Sequence, residues 1–303
     1  MMSRKFNNSS ATARATSLAE DLFSHPLDDT DYRMLPAVGD TWPTRVFMFS
    51  RRQGFRHMAP SHHERFVLVL ALHGDGLAHI DGRLINIPDG GALLVFAYQF
   101  HHFIRLTSPK LSWLMITFAA DQAQWLLPLR DRCVPISPEC LGEIERIVAD
   151  FRNKRMPDRT KSPIVSSRLR IILSMLLGAG SSNVAIQPVT DDPPLGPSYR
   201  AIHKVAQAIS EDPGRLKGVA DAAEVAGLSS SYLQEIFHQL LGCGVGFYIR
   251  KHKVLRAARL LKLTDDSISQ IADDCGFTSV YAFSRTFSAV MRESPRAFRA
   301  RST

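Results

Sequence analysis

The spacing of hydrophobic positions changes along this chain, and each change marks a different kind of element. Between about 30 and 120 the apolar runs are short and broken by turns: RFVLVLALHG, GLAHIDGR, RLINIPDGGALLVFA, HHFIRL and LSWLMITF. Asp81-Gly82 separates two alternating segments, the signature of a two-residue hairpin, and Pro88-Asp89-Gly90-Gly91 supplies a second turn. Such strands, with no helical period between them, predict a barrel or sandwich. From about 121 to 180 the apolar steps become three and four. Leu141, Ile144, Val148 and Phe151 form one stripe, and Val165, Leu169, Ile172 and Leu176, broadened by Leu173 and Leu177, form another. These predict amphipathic helices over 139–151 and 164–178, separated by RNKRMPDRTKSP. SSNVAIQPVTDDPPLGPS has no period, and its Ser, Asp, Pro and Gly mark a linker over 181–197. The pattern from 198 to 303 is helical throughout. Residues 1–20 are polar and Ser/Thr/Asn-rich and predict a disordered tail. The expected architecture is therefore α+β in two domains, 21–180 and 198–303.

The helical region contains an internal repeat. AEVAGLSSSYLQEIF (Ala223 to Phe237) can be laid over ADDCGFTSVYAFSRTF (Ala272 to Phe287), which is one residue longer. In each, a small residue lets a following helix approach closely, and Gly227 or Gly276 ends the first helix in a left-handed conformation. Ser229 and Thr278 are candidate N-caps for the helix that follows. Leu228, Leu233 and Phe237, and then Phe277, Phe283 and Phe287, supply the packing beneath each corner. This is the helix-turn-helix pattern, placed here over about 216–238 and 265–288, whose second helix enters a major groove. FYIRKHKVLRAARLLKL lies between the two copies; as a helix it spans roughly 25 Å at 1.5 Å per residue. Major-groove segments on one face recur about every 34 Å, within reach of tilted units at its ends.

Composition narrows the choice of partners. The 303 residues carry a formal charge of +8. From Ser198 onward there are 15 Lys and Arg against 10 Asp and Glu, so the basic excess is densest in the helical third and tilts it toward a polyanion. Arg250, Lys251, Lys253 and Arg256 on the connecting helix either face phosphates or form a solvated face. The apolar run Phe66 to Leu72 falls far short of the about 20 residues that cross a membrane. MMSRKFNNSSATARATSLAE has no apolar secretory region, and the 4 cysteines form no CxxC pair, so reduced thiols in a cytoplasmic protein are expected.

Several ordered motifs carry a family resemblance. They are A-x-x-x-G-L-S-x-x-Y-L-x-x-x-F from Ala223, K-V-L-R-A-A-R-L-L from Lys253 and S-I-S-Q-I-A-x-x-C-G-F-T from Ser267. F-S-R-x-F from Phe283 and S-P-x-x-F-R from Ser294 complete the set. With them, the region from about Tyr199 to Arg299 resembles the DNA-binding domain of AraC/XylS-type transcription regulators. HHERFVLVLALHGDGLAHIDGR, PDGGALLVFAYQFHHF and WLMITF resemble that family's ligand-binding half, a cupin-like β-barrel followed by dimerisation helices. The resemblance implies a homodimer that binds double-stranded promoter DNA, answers to a small-molecule effector and can contact RNA polymerase. It implies no cofactor and no enzymatic activity. Glu235 and His238 stand where basic residues are commoner in the family, and Arg292 replaces a glycine.

On the first recognition helix the exposed candidates are Ser230, Ser231, Gln234, Glu235 and His238; on the second, Ser279, Val280, Tyr281, Ser284, Arg285 and Ser288. Gln can bond adenine bidentately, Glu can accept from cytosine N4, and Ser serves either role. The family pattern places Ser231, Gln234 and Glu235, and then Val280, Tyr281 and Arg285, toward bases.

Seven of the 11 histidines fall between His57 and His102. A metal-dependent cupin enzyme with an accessory DNA-binding domain would draw ligands from His62, His63, Glu64 and His101 or His102, although the expected H-x-H spacing is missing. The alternative is an effector pocket, with His62, Glu64, His79, Phe96, Tyr98, His101 and Trp113 as candidate lining. A non-specific architectural DNA binder is a third reading and would need a more basic recognition surface.

Overall fold

The computed structural model describes residues 9–25, 43–51, 65–106, 111–120, 123–181 and 197–300. The 181–197 linker lies outside them except at its two ends.

The strand region forms two sheets. Strands β1 (Thr44–Arg51), β2 (Phe66–His73), β5 (Gly91–Val95), β7 (Ser112–Ala119) and β8 (Cys133–Pro135) make one, in the order β1-β7-β2-β5-β8. Strands β3 (Gly76–Ile80), β4 (Arg83–Ile87) and β6 (His101–Leu106) make the other, in the order β4-β3-β6. Asp81-Gly82 forms the expected tight hairpin: Ile80 pairs with Arg83, and both turn residues have positive φ, 46° and 88°. Pro88–Gly91 behaves differently. It carries the chain from one sheet to the other, as do the corners at Gly74 and Tyr98, which also have positive φ. Trp113 Nε1 donates to Gly74 O at 2.9 Å and fixes one of these corners. Because the chain changes sheets there instead of adding rungs to one ladder, the expected barrel is two facing sheets that do not close among the described residues.

The continuous apolar run in β2 now has a cause. Val67, Val69 and Ala71 pack between the sheets with Ile85, Leu93 and Trp113, while Phe66, Leu68, Leu70 and Leu72 face the helices. The five-stranded sheet is buried on both faces, so alternation of polarity is lost. Helices α2 (Pro138–Arg152) and α3 (Asp158–Ser181) cover it through Leu141, Ile144, Ile147, Val165, Leu169, Ile172 and Leu176. Ser137 caps α2 by accepting from Cys140 N, and Arg168 joins the two helices through Glu143 and Asp150. Helix α3 starts earlier than its apolar stripe predicts and takes in Pro163. It is also the one described helix long and apolar enough to cross a membrane by length and composition.

One expectation is overturned. The segment 1–20, assigned to a disordered tail, holds the greater part of helix α1 (Ser9–Ser24), which lays Leu18, Ala19 and, just beyond the segment, Leu22 on the same core. Its polar composition concealed an apolar stripe at helical spacing. Arg14 pairs with Glu145 and Arg152 with Asp21, tying α1 to α2.

The C-terminal region is all helix: α4 (Pro197–Glu211), α5 (Val219–Ala226), α6 (Ser230–Leu241), α7 (Val245–Leu263), α8 (Ile268–Asp274), α9 (Val280–Met291) and α10 (Pro295–Ala300). The core gathers around α7, with Tyr248, Leu255 and Ala258 buried against Phe237, Phe283, Phe287 and Phe298. All four cysteines are free, and burial pushes the thiols of Cys133, Cys140 and Cys275 up to about 12.

Candidate nucleic-acid interface

Both repeat segments fold as helix-turn-helix units, α5–α6 and α8–α9. Gly227 (φ 70°) donates to Ala223 O and Glu224 O, and Gly276 (φ 67°) donates to Asp273 O at 2.8 Å. The residue after each glycine then bonds back to the small residue of the motif: Leu228 N to Ala223 O and Phe277 N to Ala272 O, both 3.0 Å. Ser229 Oγ caps α6 by accepting from Tyr232 N at 3.3 Å. In the second unit the cap is Ser279, which accepts from Ala282 N at 3.1 Å; Thr278 is not the cap. The extra residue in the second repeat is taken up before the cap, so the hydroxyl one position later is in place. Ser267 and Gln270 form a reciprocal capping box that starts α8.

The candidate base readers are exposed on the outer sides of α6 and α9: Ser230, Ser231, Glu235 and His238 on the first, and Val280, Tyr281 and Arg285 on the second, with Tyr281 78% exposed. Ser284 and Ser288 are half-buried, and Ser279 is exposed at the cap. Tyr232, 49% exposed, lies on α6 as well and was not among the candidates. Gln234 is half-buried, and its Oε1 accepts from Val245 N at 3.1 Å, joining α6 to the first turn of α7. Bidentate contact with adenine uses both ends of the amide, and one acceptor site of Oε1 is already taken by this bond.

Basic residues of α7 are largely engaged within the protein. Lys253 Nζ donates to Gly276 O at 3.0 Å, Arg256 to Ser210 O at 3.0 Å, and Lys251 Nζ lies over the Phe100 and Phe247 rings at 5.8 and 5.5 Å. Arg250 is exposed. Burial lowers the Lys251 and Lys253 ammonium pKa values. Arg292, in place of the family's glycine, adopts φ 66° and donates to Ser288 O, as Gly242 (φ 63°) does to His238 O after α6.

The N-terminal candidates do not share one lining. Trp113 and His101 lie toward the space between the sheets, where both approach Phe103, at 5.4 and 6.2 Å between centroids. Phe96 faces the helix-covered side. His79 and Tyr98 point to the C-terminal helices: His79 Nε2 is 3.2 Å from His203 Nδ1, and Tyr98 packs on Phe298. His57, His62, His63 and Glu64 lie outside the described residues. Among the described residues no group of three or more His, Cys, Asp or Glu has metal-binding geometry.

Two family models match the chain. An AraC-like ligand binding domain matches residues 46–159, and a helix-turn-helix domain matches residues 222–301. The probable transcription factor PqrA of Proteus vulgaris is 40% identical over 81 residues, which are 27% of this chain and 66% of PqrA, just under two thirds of its length. The transcriptional activator RhaR of Enterobacter is 22% identical over 275 residues, 88% of this chain and 92% of RhaR. Among solved structures, the DNA-binding domain of AdpA in complex with a target DNA is 28% identical; the match covers 35% of this chain and 93% of that domain, with a TM-score of 0.32. The two domain matches occur in order, each over the region that shows its architecture, and the chain belongs to the AraC family.

Proposed function

We propose that this chain is a sequence-specific transcription regulator that reads two successive major-groove segments of promoter DNA through α6 and α9. The observation that carries this reading is the doubled unit: two glycine-turned corners, each followed by a serine-capped helix with an exposed polar face, joined by the single helix α7. Seryl hydroxyls and helix N-termini suit phosphates and base edges, and Arg285 suits guanine.

The match to a ligand-binding domain supports modulation by a small-molecule effector in the N-terminal half, with His101 and Trp113 as described candidates. An effector of this kind acts by favouring one arrangement of the DNA-binding units over another. Exposed Ile171 on α3, with Trp125 and Leu127 nearby in sequence to α2, supports a homodimer formed through the helical cover. A cytoplasmic location and contact with RNA polymerase follow from the same role. The test is selection of binders from a random duplex library by the full chain. A recurrent sequence motif is expected, and folded protein that enriches none contradicts the reading.

A further inference from the structure

The outer face of the three-stranded sheet carries His79 on β3 paired in register with His102 on β6, their rings stacked with centroids 4.8 Å apart. Helices α4 and α7 cover these rings. His203 of α4 meets His79 at 3.2 Å, and Tyr248 and His252 of α7 close around Phe100, with centroids 4.6 and 5.3 Å away. Tyr98 and Phe100, from the loop before β6, belong to the core of the C-terminal helices.

Beside the rings the hairpin tip is pinned to the same helices. Arg259 of α7 donates to Asp81 Oδ2 at 2.6 Å, and the Ser210 hydroxyl of α4 bonds Asp81 O. A Cβ at Gly82 would fall 2.6 Å from Ser210 Oγ, so the contact is tight. The junction touches α4 before the first DNA-reading unit, α7 between the two, and α10 after the second through Tyr98 and Phe298.

Its polar groups are sparsely answered. His79 Nδ1, both ring nitrogens of His102, His252 Nε2 and Tyr248 Oη are buried and make no hydrogen bond among the described residues. A neutral imidazole tolerates this, whereas an imidazolium would bury a charge without an acceptor. The other charged or titratable groups around the cluster are His101 on β6, Lys251, Arg256 and Arg259 on α7, and Asp81 at the hairpin. Asp81 is the carboxylate that faces His252, and it already pairs with Arg259.

We propose that this junction is a proton-operated latch: it holds the N-terminal sheet on the DNA-binding helices while its histidines are neutral, and releases them as the rings take up protons. Burial lowers the pKa of all four rings, His79 well below the usual 6.5, His102 to about 3, His252 to about 4 and His203 in the same direction. A ring that regains its ordinary pKa on exposure favours docking fully above pH about 6.5. That preference is lost as pH falls toward the docked value. His102 and His252 therefore each shift the docked-to-open ratio about tenfold from about pH 7.5 to about pH 5.5, about 100-fold together, and His79 and His203 add to it in the same direction.

The test is hydrogen exchange of the full chain at those two pH values, corrected for intrinsic rates. Amides of β3, β6 and α7 report the junction, and β2 and α3 report the fold. Junction protection is expected to fall by about 100-fold or more at the lower pH while β2 and α3 keep theirs. In His102→Leu, which replaces the ring with an apolar side chain, the fall is expected to shrink about tenfold. Equal junction protection at both pH values in the wild-type chain would overturn the latch, as would loss of protection in β2 and α3 together with the junction. A His102→Leu chain that keeps the full wild-type response would also overturn it. None of these outcomes depends on whether the chain reads DNA.

Discussion

A Cβ added to Gly227, in the turn of the first helix-turn-helix unit, would meet nothing within 4 Å; one added to Gly276, in the second, would fall 2.5 Å from the Pro213 carbonyl and Gly214 N. The second turn is wedged against the α4–α5 connection and held from the other side by Lys253, which donates to Gly276 O. The first turn stands clear, and its unit is tied to the rest by a side chain of the recognition helix itself, Gln234, capping α7. The two units share a backbone plan and differ in how they are anchored. Anchoring through the turn leaves Val280, Tyr281 and Arg285 directed outward on α9. Anchoring through α6 engages one of its candidate reading positions, and Glu235 there accepts from Gln239 at 2.9 Å.

The largest expected effect separates the glycines. Gly276→Ala combines a left-handed residue, at about 1–2 kcal/mol, with a clash against backbone of about 1–3 kcal/mol. Gly227→Ala carries the first cost alone. Chemical denaturation of the full chain should therefore show Gly276→Ala as the more damaging by 1 kcal/mol or more; equal losses would remove the asymmetry. On DNA, Arg285→Ala should weaken binding to a selected site about 10- to 100-fold, in line with about 1–3 kcal/mol for a base contact. Glu235→Ala should change affinity by less than about threefold, because a lost cytosine contact is offset by removing an anion from beside the phosphates. Anisotropy titrations at fixed salt compare the two, and a Glu235 loss as large as that of Arg285 would make the units equals.

Gln234→Ala should destabilise the chain by about 1 kcal/mol through the lost cap on α7. It should leave DNA affinity nearly unchanged if the amide acts inside the protein. The smallest effect runs the other way. Arg292 holds φ 66° without glycine's freedom, so Arg292→Gly should stabilise by about 0.5–1 kcal/mol and raise the melting midpoint.

What the sequence made legible was local. Small residue, glycine and hydroxyl at fixed spacing are the components of a corner, and both corners form where that spacing predicts them. The shift of the second cap from Thr278 to Ser279 was not readable, since adjacent hydroxyls compete for the role and only backbone geometry chooses between them. The bond from Val245 to Gln234 was not readable either, because it joins separate helices across a turn. On β3, every residue from Gly76 to Ile80 is buried, so polarity alternation could not show that His79 faces away from the space between the sheets. The stripe in α1 was lost for the opposite reason, as Leu18, Ala19 and Leu22 sit in a background of Ser, Thr and charged residues.

The most direct test of two-unit reading is base-interference mapping of the full chain on a site it has itself selected. The account predicts two clusters of sensitive base pairs, about one helical turn apart on one face of the duplex, with Arg285→Ala erasing sensitivity in one cluster and leaving the other. A single cluster, or two that both survive Arg285→Ala, would contradict it.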